Sequence, residues 1–341
     1  MMSPTLFIFT ESMDHLYSAV EEEERMSMEL SNHVSQARPE SRDIEVTPRE
    51  ISSLQGYEFG KRKSVTGKQA LSNIIFLGVI SMTAGWLGVL LNKWTGDAQL
   101  ALLAFLAIPP LGILALNIFF PDRKLDLGLE PQLKKNRLVY LCAVLIFPFL
   151  TMIVLFAGRV TGFITFTGFN EKGIGAFIGL AVISFFSDFI KNCLEEFTWR
   201  GFFSRQFEAA GVPTLLNHLL TGMIWMLWQV PYWLFLFDRT ASGNPEPITI
   251  LMVCLSLLAS SIVYGEIRLL SRSTWPAVLL RASLDAVSIP LILHGFISIQ
   301  PSAAPWLSPD TNSIAIIILF CITGVGFHQF RTRKYERELK K

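Results

Sequence analysis

The sequence predicts an all-α, polytopic membrane protein with about eight transmembrane helices, and three observations support this prediction. Hydrophobic residues make up 51% of the 341 residues and charged residues only 17%, whereas about a quarter of the residues in a soluble domain are charged. Eight apolar runs are close to the roughly 20 residues that a membrane-spanning helix needs. Lysine and arginine residues accumulate in every second loop between these runs. We therefore expect an integral membrane protein.

The eight predicted helices follow one another along the chain from residue 73 to residue 328. Each is a nearly continuous apolar run, interrupted by few charged residues. Such runs are typical of segments that lie in the hydrocarbon core of a bilayer. They cover residues 73–91, 98–120, 137–157, 174–194, 214–237, 248–267, 275–298 and 312–328.

Loop charges predict the orientation, since Lys and Arg accumulate on the cytosolic side of a membrane. Basic residues precede the first run and follow the second, fourth, sixth and eighth runs, whereas the loop at 299–311 has none. This alternation fits eight spans with both termini in the cytosol. It does not distinguish the plasma membrane from the endoplasmic reticulum. These basic residues include Lys61, Arg62, Lys63, Lys68, Lys124, Lys134, Lys135, Arg137, Arg200, Arg205, Arg268, Arg272, Arg331, Arg333, Lys334, Arg337, Lys340 and Lys341.

Three regions are predicted along the chain: an acidic cytosolic tail at 1–68, a transmembrane domain at 69–330 and a basic cytosolic tail at 331–341. Residues 1–60 contain twelve acidic residues and four arginines. Such a segment cannot bury enough apolar surface to offset chain entropy, so we expect it to be disordered. A solvated tail is the simplest interpretation of it. A docking segment for a basic partner is the alternative.

Cysteine placement gives no sign of a disulfide or metal framework. Each of the four cysteines lies in a separate apolar run, as is typical of small buried hydrophobic residues. The sequence also lacks a phosphate-binding glycine loop and a nucleic-acid-binding patch. We therefore expect no cofactor, no metal and no nucleic-acid partner. The cysteines are Cys142, Cys193, Cys254 and Cys321.

The cluster Glu195, Glu196 and Arg200 ends the fourth apolar run. A charge at membrane depth costs roughly 2.5 to 3.5 kcal/mol, so such a cluster indicates a functional site. On a helix, Glu196 and Arg200 are four residues apart and can pair. Glu195 points about 100° away, which leaves its carboxylate able to take a proton from water.

Two further polar sets lie in later runs. Gln229 follows Trp225 by four residues in the fifth run, so both lie on one helix face. Arg281 and Asp285 have the same spacing in the seventh run.

With these residues the chain resembles the CAAX-protease and bacteriocin-processing family of intramembrane endopeptidases. The family has an EExxxR(G) motif, a motif in which an aromatic residue precedes a histidine by four, and a third motif, HxxxN or HxxxD. The corresponding segments here are 195–201, 221–231 and 273–285, in the same order. Residues 128–135 also resemble the amphipathic segment that precedes the family's core. The resemblance covers about residues 70–300 and implies the glutamic intramembrane-peptidase fold.

The same resemblance implies roles for individual residues. Glu195 corresponds to the glutamate that activates water, Glu196 and Arg200 to its supporting pair, and Asp285 to the third-motif Asn or Asp. Both motif histidines are replaced, by Gln229 and by Arg281. Gln229 can still donate a hydrogen bond to an oxyanion. An arginine can stabilise an oxyanion but can neither accept a proton nor bind a metal.

The remaining histidines offer no evident replacement. His218 and His294 are each expected to be interfacial side chains, about 11 residues or more from the motif positions. Glu266 and Arg268 are expected to form an ordinary pair at a helix end.

Three interpretations of the polar residues therefore stay open. In family terms, the function would be proteolysis of membrane-associated or prenylated peptides at a cavity open to the cytosolic leaflet. Alternatively, the polar residues form a structural ion-pair network in a non-catalytic scaffold that binds such peptides or partner proteins. A transporter is the third interpretation, although the sequence shows no inverted repeat.

Overall fold

The computed structural model describes residues 66–120, 126–236, 247–309 and 313–339, and these residues are almost entirely helical. The predicted acidic tail lies outside the described residues up to residue 65. The helices are α1 (Gly67–Thr95), α2 (Ala98–Phe119), α3 (Arg137–Val160), α4 (Thr167–Ser187), α5 (Phe189–Glu196), α6 (Ser204–Ala209), α7 (Thr214–Pro231), α8 (Pro247–Ser271), α9 (Trp275–Ile292), α10 (Ala304–Leu307) and α11 (Ile314–Leu339). Two π-helical segments, Phe197–Phe203 and Tyr232–Leu236, follow α5 and α7.

Polar caps and a glycine set the ends of the first helices. Thr66 and Gln69 form a capping box at the start of α1, each side chain bonding the other's backbone N–H. Gly96 ends α1 in the left-handed conformation, with φ of 70°. Asp97 then caps α2 by accepting hydrogen bonds from the N–H groups of Gln99 and Leu100. This turn sets α1 and α2 side by side, where they pack along their length.

Seven of the described helices are long and apolar enough to cross a membrane: α1, α2, α3, α4, α8, α9 and α11. This confirms a polytopic, all-α membrane protein but differs from the prediction of about eight such helices. The fifth apolar run forms α7, which is not among the seven. Its polar residues explain the difference, since Asn217, His218 and Thr221 all lie on its buried face.

The fourth predicted span also differs in its bounds. Instead of one helix over 174–194, α4 begins at Thr167 and ends at Ser187, and the short helix α5 follows. Within α4, Gly173 has φ of 79°, so the helix bends there. The last helix, in turn, continues to Leu339 through part of the segment predicted as a basic tail.

The outer surface of the bundle is apolar. Leu103, Phe156, Ile174, Phe186 and Ile190 are each more than 60% exposed. Buried polar residues, by contrast, concentrate inside the bundle on α5, α7 and α8. This distribution is expected where hydrocarbon, not water, surrounds the helices.

The core is built around α8 and α9. Helix α8 packs against α7 and α11, and α9 packs against α3 and α4. Close contact of α7 with α8 depends on Gly222, because a Cβ atom there would lie 2.8 Å from the Cβ of Ser261. At the far end of α9, the two-residue strands β1 (Ile164–Thr165) and β2 (Ser298–Ile299) pair antiparallel. These contacts hold α5, α7, α8 and α9 around one polar centre.

Candidate functional site

Glu195 and Glu196 end α5 inside the bundle, and both are buried, with exposed fractions of 5% and 0%. The chain continues from them as the π-helical segment Phe197–Phe203. Short π-helical segments are rare and are found frequently at functional sites. The segment carries Arg200, which is only 1% exposed. The first motif is thus an entirely buried charged cluster.

Arg200 and Glu196 form a buried ion pair. The Nη1 atom of Arg200 lies 3.2 Å from Oε1 of Glu196. The guanidinium group also lies over two aromatic rings, 4.4 Å from the centroid of Trp225 and 4.6 Å from that of Tyr264. These cation–π contacts offset part of the cost of burying the charge. The predicted pair is therefore formed and is enclosed by aromatic rings.

Glu195 contacts two residues that come from the other motifs. Its Oε2 accepts a hydrogen bond of 3.2 Å from the indole Nε1 of Trp225. The Nη2 atom of Arg281 lies 3.8 Å from the same oxygen, which is an ion-pair distance but too long for a hydrogen bond. Arg281 also lies over the Trp225 ring, at 5.0 Å from its centroid. Arg281 therefore contacts Glu195, the residue that corresponds to the water-activating glutamate of the family.

Asp285 lies one turn beyond Arg281 on α9 and joins that helix to α5. Its Oδ2 accepts a hydrogen bond of 3.0 Å from Nδ2 of Asn192 and lies 3.4 Å from Nζ of Lys191. Lys191 also contacts Asp188, at 3.0 Å. Together with the Glu195–Arg281 contact, these bonds connect α5 with α9 at two positions along the helices. Asn192 was not among the residues that the sequence singled out.

A cavity of about 280 Å³ lies among α7, α8, α9 and α11, next to this polar centre. Gln229, Arg281 and Asp285, the residues at the second and third motifs, all line it. Glu195 is not among the lining residues of this cavity in the part of the chain that the structure describes. Arg281 thus contacts Glu195 while also forming part of the cavity wall.

Histidine side chains described in the structure lie away from Glu195. His218 Nε2 and His328 Nδ1 lie 3.2 Å and 2.7 Å from Oε1 of Glu266. Arg331 donates a hydrogen bond of 2.6 Å from Nε to the other oxygen of Glu266. His294 is exposed just beyond α9. His15 and His33 fall outside the described residues.

Two expectations about these residues were wrong. His218 is 1% exposed rather than interfacial. Glu266 does not simply pair with Arg268, because it binds side chains from α7 and α11. Arg268 is itself buried, with Nη1 4.0 Å from Oε2 of Glu208. The sequence did not indicate that Glu266 contacts His218, His328 and Arg331, because these partners lie far from Glu266 along the chain.

The described residues contain no group of three or more His, Cys, Asp or Glu side chains arranged to hold a metal ion. The four cysteines are free and at least partly exposed. The polar groups that the described residues bring to this site are carboxylates, guanidinium groups, amides and aromatic N–H and O–H groups.

Residues 174–287 match the family described as type II CAAX prenyl endopeptidase, Rce1-like. The matched range includes all the predicted site residues, from Glu195 to Asp285. It also includes the helices α5, α7 and α8 that surround the polar centre. No curated protein matches the chain.

Proposed function

We propose that this chain binds membrane-associated or prenylated peptides without cleaving them. Its residues 174–287 match the type II CAAX prenyl endopeptidase Rce1-like family. The family relationship supports the class of ligand. We propose that cleavage does not occur because Gln229 and Arg281 occupy the positions of the two motif histidines.

The observation that carries this proposal is the contact between Arg281 and Glu195. An arginine at 3.8 Å from the carboxylate provides a permanent positive charge where the family has a histidine. A guanidinium group cannot take up or release a proton at neutral pH. The Coulomb attraction between the two side chains is large in an environment of low dielectric constant. It favours a Glu195 side chain that stays paired with Arg281 rather than one that activates water.

Access to the glutamate supports the same conclusion. A general base must lie within hydrogen-bond reach of the proton that it removes. Glu195 is 5% exposed and is separate from the residues that line the described cavity. A peptide in this cavity would meet Gln229, Arg281 and Asp285 first. These side chains suit binding of a polar group better than activation of water.

Residual peptidase activity is the second candidate, and one observation favours it. Glu195 retains an orienting hydrogen bond from Trp225, and Glu196 retains its pair with Arg200. Gln229 also lines the cavity and can donate a hydrogen bond to an oxyanion. This arrangement would hydrolyse peptides slowly if a small shift of Arg281 admitted water to Glu195.

The proposed location is a membrane with both chain termini on the cytosolic side, as the loop charges indicate. Ligands would then reach the cavity from the cytosolic leaflet or from the bilayer. A basic partner for the acidic segment 1–68 remains a separate proposal, which rests on the charge of that segment alone.

Binding is tested by photo-crosslinking of a farnesylated CAAX peptide to the purified full-length protein in nanodiscs. We expect crosslinks to residues around the cavity, competition by unlabelled farnesylated peptide, and little competition by the unprenylated peptide. Gln229→Ala should weaken crosslinking several-fold, whereas the exposed-site control Arg159→Gln should not change it. Equal crosslinking with and without the prenyl group, or no crosslinking at all, would overturn the proposed ligand class.

A further inference from the structure

The cavity wall carries hydrogen-bonding groups that are not used within the protein. Among the described residues, Tyr264 Oη, Arg281 Nε and Ser288 Oγ are buried atoms without a hydrogen-bond partner, and all three residues line the cavity. Tyr264 is 0% exposed. A buried polar group without a partner is destabilising, because it has lost its hydrogen bonds to water. A ligand that accepts hydrogen bonds from these groups would recover part of that cost.

The charges on the wall favour an anionic ligand group. Arg281 brings a positive charge, and its nearest carboxylate oxygen, on Glu195, lies 3.8 Å away. Asp285 is the acidic residue among the lining residues, but it is already bonded to Asn192 and Lys191. Arg281, Tyr264 and Ser288 therefore offer unpartnered donor groups to a ligand.

Apolar residues also line the cavity, and one of them is exposed at the protein surface. Leu257, Ile289, Ile292 and Phe320 line the cavity together with Leu293, and Leu293 is 78% exposed. A volume of about 280 Å³ lies just below the roughly 300 to 1,000 Å³ that is typical of ligand pockets. The enclosed part of a ligand is therefore small, and a longer apolar chain would extend past Leu293 toward the membrane.

We propose that this cavity binds the carboxylate of a ligand with an apolar chain, and that Arg281 and Tyr264 donate hydrogen bonds to the carboxylate oxygens. Such a carboxylate can belong to the C-terminus of a hydrophobic peptide or to a fatty acid. The inference rests on the proposed binding function of the same cavity. It adds that binding requires the free carboxylate as well as the apolar chain.

The test measures binding of radiolabelled decanoate to the detergent-purified full-length protein by scintillation proximity. Competitors are methyl decanoate, decylamine, and a farnesylated peptide with either a C-terminal acid or a C-terminal amide. We expect competition from ligands with a free carboxylate and at least about tenfold weaker competition from the ester and the amine. Tyr264→Phe should weaken binding by about 2- to 13-fold, as expected for one hydrogen bond.

Tyr264→Phe keeps the aromatic ring that contacts Arg200, so this variant should fold. Arg159→Gln removes an exposed arginine that is not among the lining residues of the cavity, and it serves as the matched control. Unchanged binding in Tyr264→Phe, equal competition by methyl decanoate, or no binding of any carboxylate would overturn the inference.

The competitors also separate the two sources of the carboxylate. Competition by the peptide acid but not by its amide assigns the site to a peptide C-terminus. Decanoate binding without competition by either peptide supports the inference with a fatty acid as the ligand and contradicts the proposed peptide-binding function. Equal competition by the peptide acid and amide leaves peptide binding in place and overturns carboxylate recognition.

Discussion

At the scale of single residues, the chemistry that we propose for the site depends on Arg281. It lies against Glu195, stacks over Trp225 and lines the cavity. A histidine at this position could exchange protons with water or a leaving group, whereas arginine keeps its proton. One substitution thus turns a position suited to proton transfer into one suited to binding an anion.

The Glu196–Arg200 pair makes a prediction about stability. Glu196→Gln should lower the free energy of unfolding by about 3 to 5 kcal/mol, because Arg200 would remain as a buried charge without its partner. Unfolding of the purified protein by heat or by a denaturing detergent measures the change. Asp188→Asn is the control, since Asp188 is partly exposed with its partner Lys191 and should cost about 1 kcal/mol or less. Equal effects of the two substitutions would contradict the structural role of the Glu196–Arg200 pair.

Sequence spacing predicted local contacts well and distant contacts poorly. The pairing of Glu196 with Arg200 follows from four-residue spacing on a helix, and it is formed. The contacts of Asn192 and Glu266 were not predicted, because their partners, Asp285 and His218, lie 93 and 48 residues away. Spacing rules carry no information about which helices will face each other across a bundle.

At the scale of helices, Glu266 joins three elements. It belongs to α8 and receives contacts from His218 on α7 and from His328 and Arg331 on α11. Close approach of His218 requires Gly265, since a Cβ atom there would lie 2.1 Å from Nδ1 of the imidazole. This contact holds the last helix against the helices that line the cavity.

Gly265→Ala should therefore destabilise the protein, because the added methyl group would displace His218 from Glu266. Gly326→Ala on α11 is the matched control, since a Cβ atom at Gly326 has no neighbour within 4 Å. Replacing glycine by alanine in a helix without steric conflict stabilises it by about 0.5 to 1 kcal/mol. We expect opposite shifts of the midpoint of thermal unfolding for the two variants. A midpoint that Gly265→Ala leaves unchanged or raises would contradict the tight packing of His218.

Apolar runs predicted most helices, but not where polar residues interrupt them. Helices α2, α3 and α8 lie close to their predicted bounds, because their sequences are continuously apolar. The run at 174–194 instead ends at Ser187, and α5 carries the polar residues that bond to α9. Polar contacts with other helices, which cannot be read from one segment, determined that boundary.

For the whole molecule, the number of membrane crossings depends on whether α7 crosses the membrane. Seven described helices are long and apolar enough to cross the membrane, and an odd number of crossings would put the two termini on opposite sides. Helix α7 has 18 residues and its π-helical extension has 5, which together span roughly 35 Å at about 1.5 Å per residue. That length covers the roughly 30 Å hydrocarbon core. Because its polar residues face the protein interior, α7 can serve as the eighth crossing.

We accordingly predict that both termini lie on the same, cytosolic side of the membrane. Epitope tags at the two ends should show the same protection from protease in sealed vesicles and the same exposure after selective permeabilisation of the plasma membrane. A tag inserted in the loop at 299–311 should show the opposite behaviour. Termini with opposite accessibility would mean that α7 does not cross.

The most direct test of the central claim is a cleavage assay with farnesylated CAAX peptides and three purified proteins: the wild type, Glu195→Gln, and the double variant Gln229→His with Arg281→His. We predict no cleavage by the wild type or by Glu195→Gln and measurable cleavage by the double variant, in which both motif histidines are restored. Cleavage by the wild type that disappears in Glu195→Gln would contradict the account. It would show that Arg281 and Gln229 support a modified peptidase.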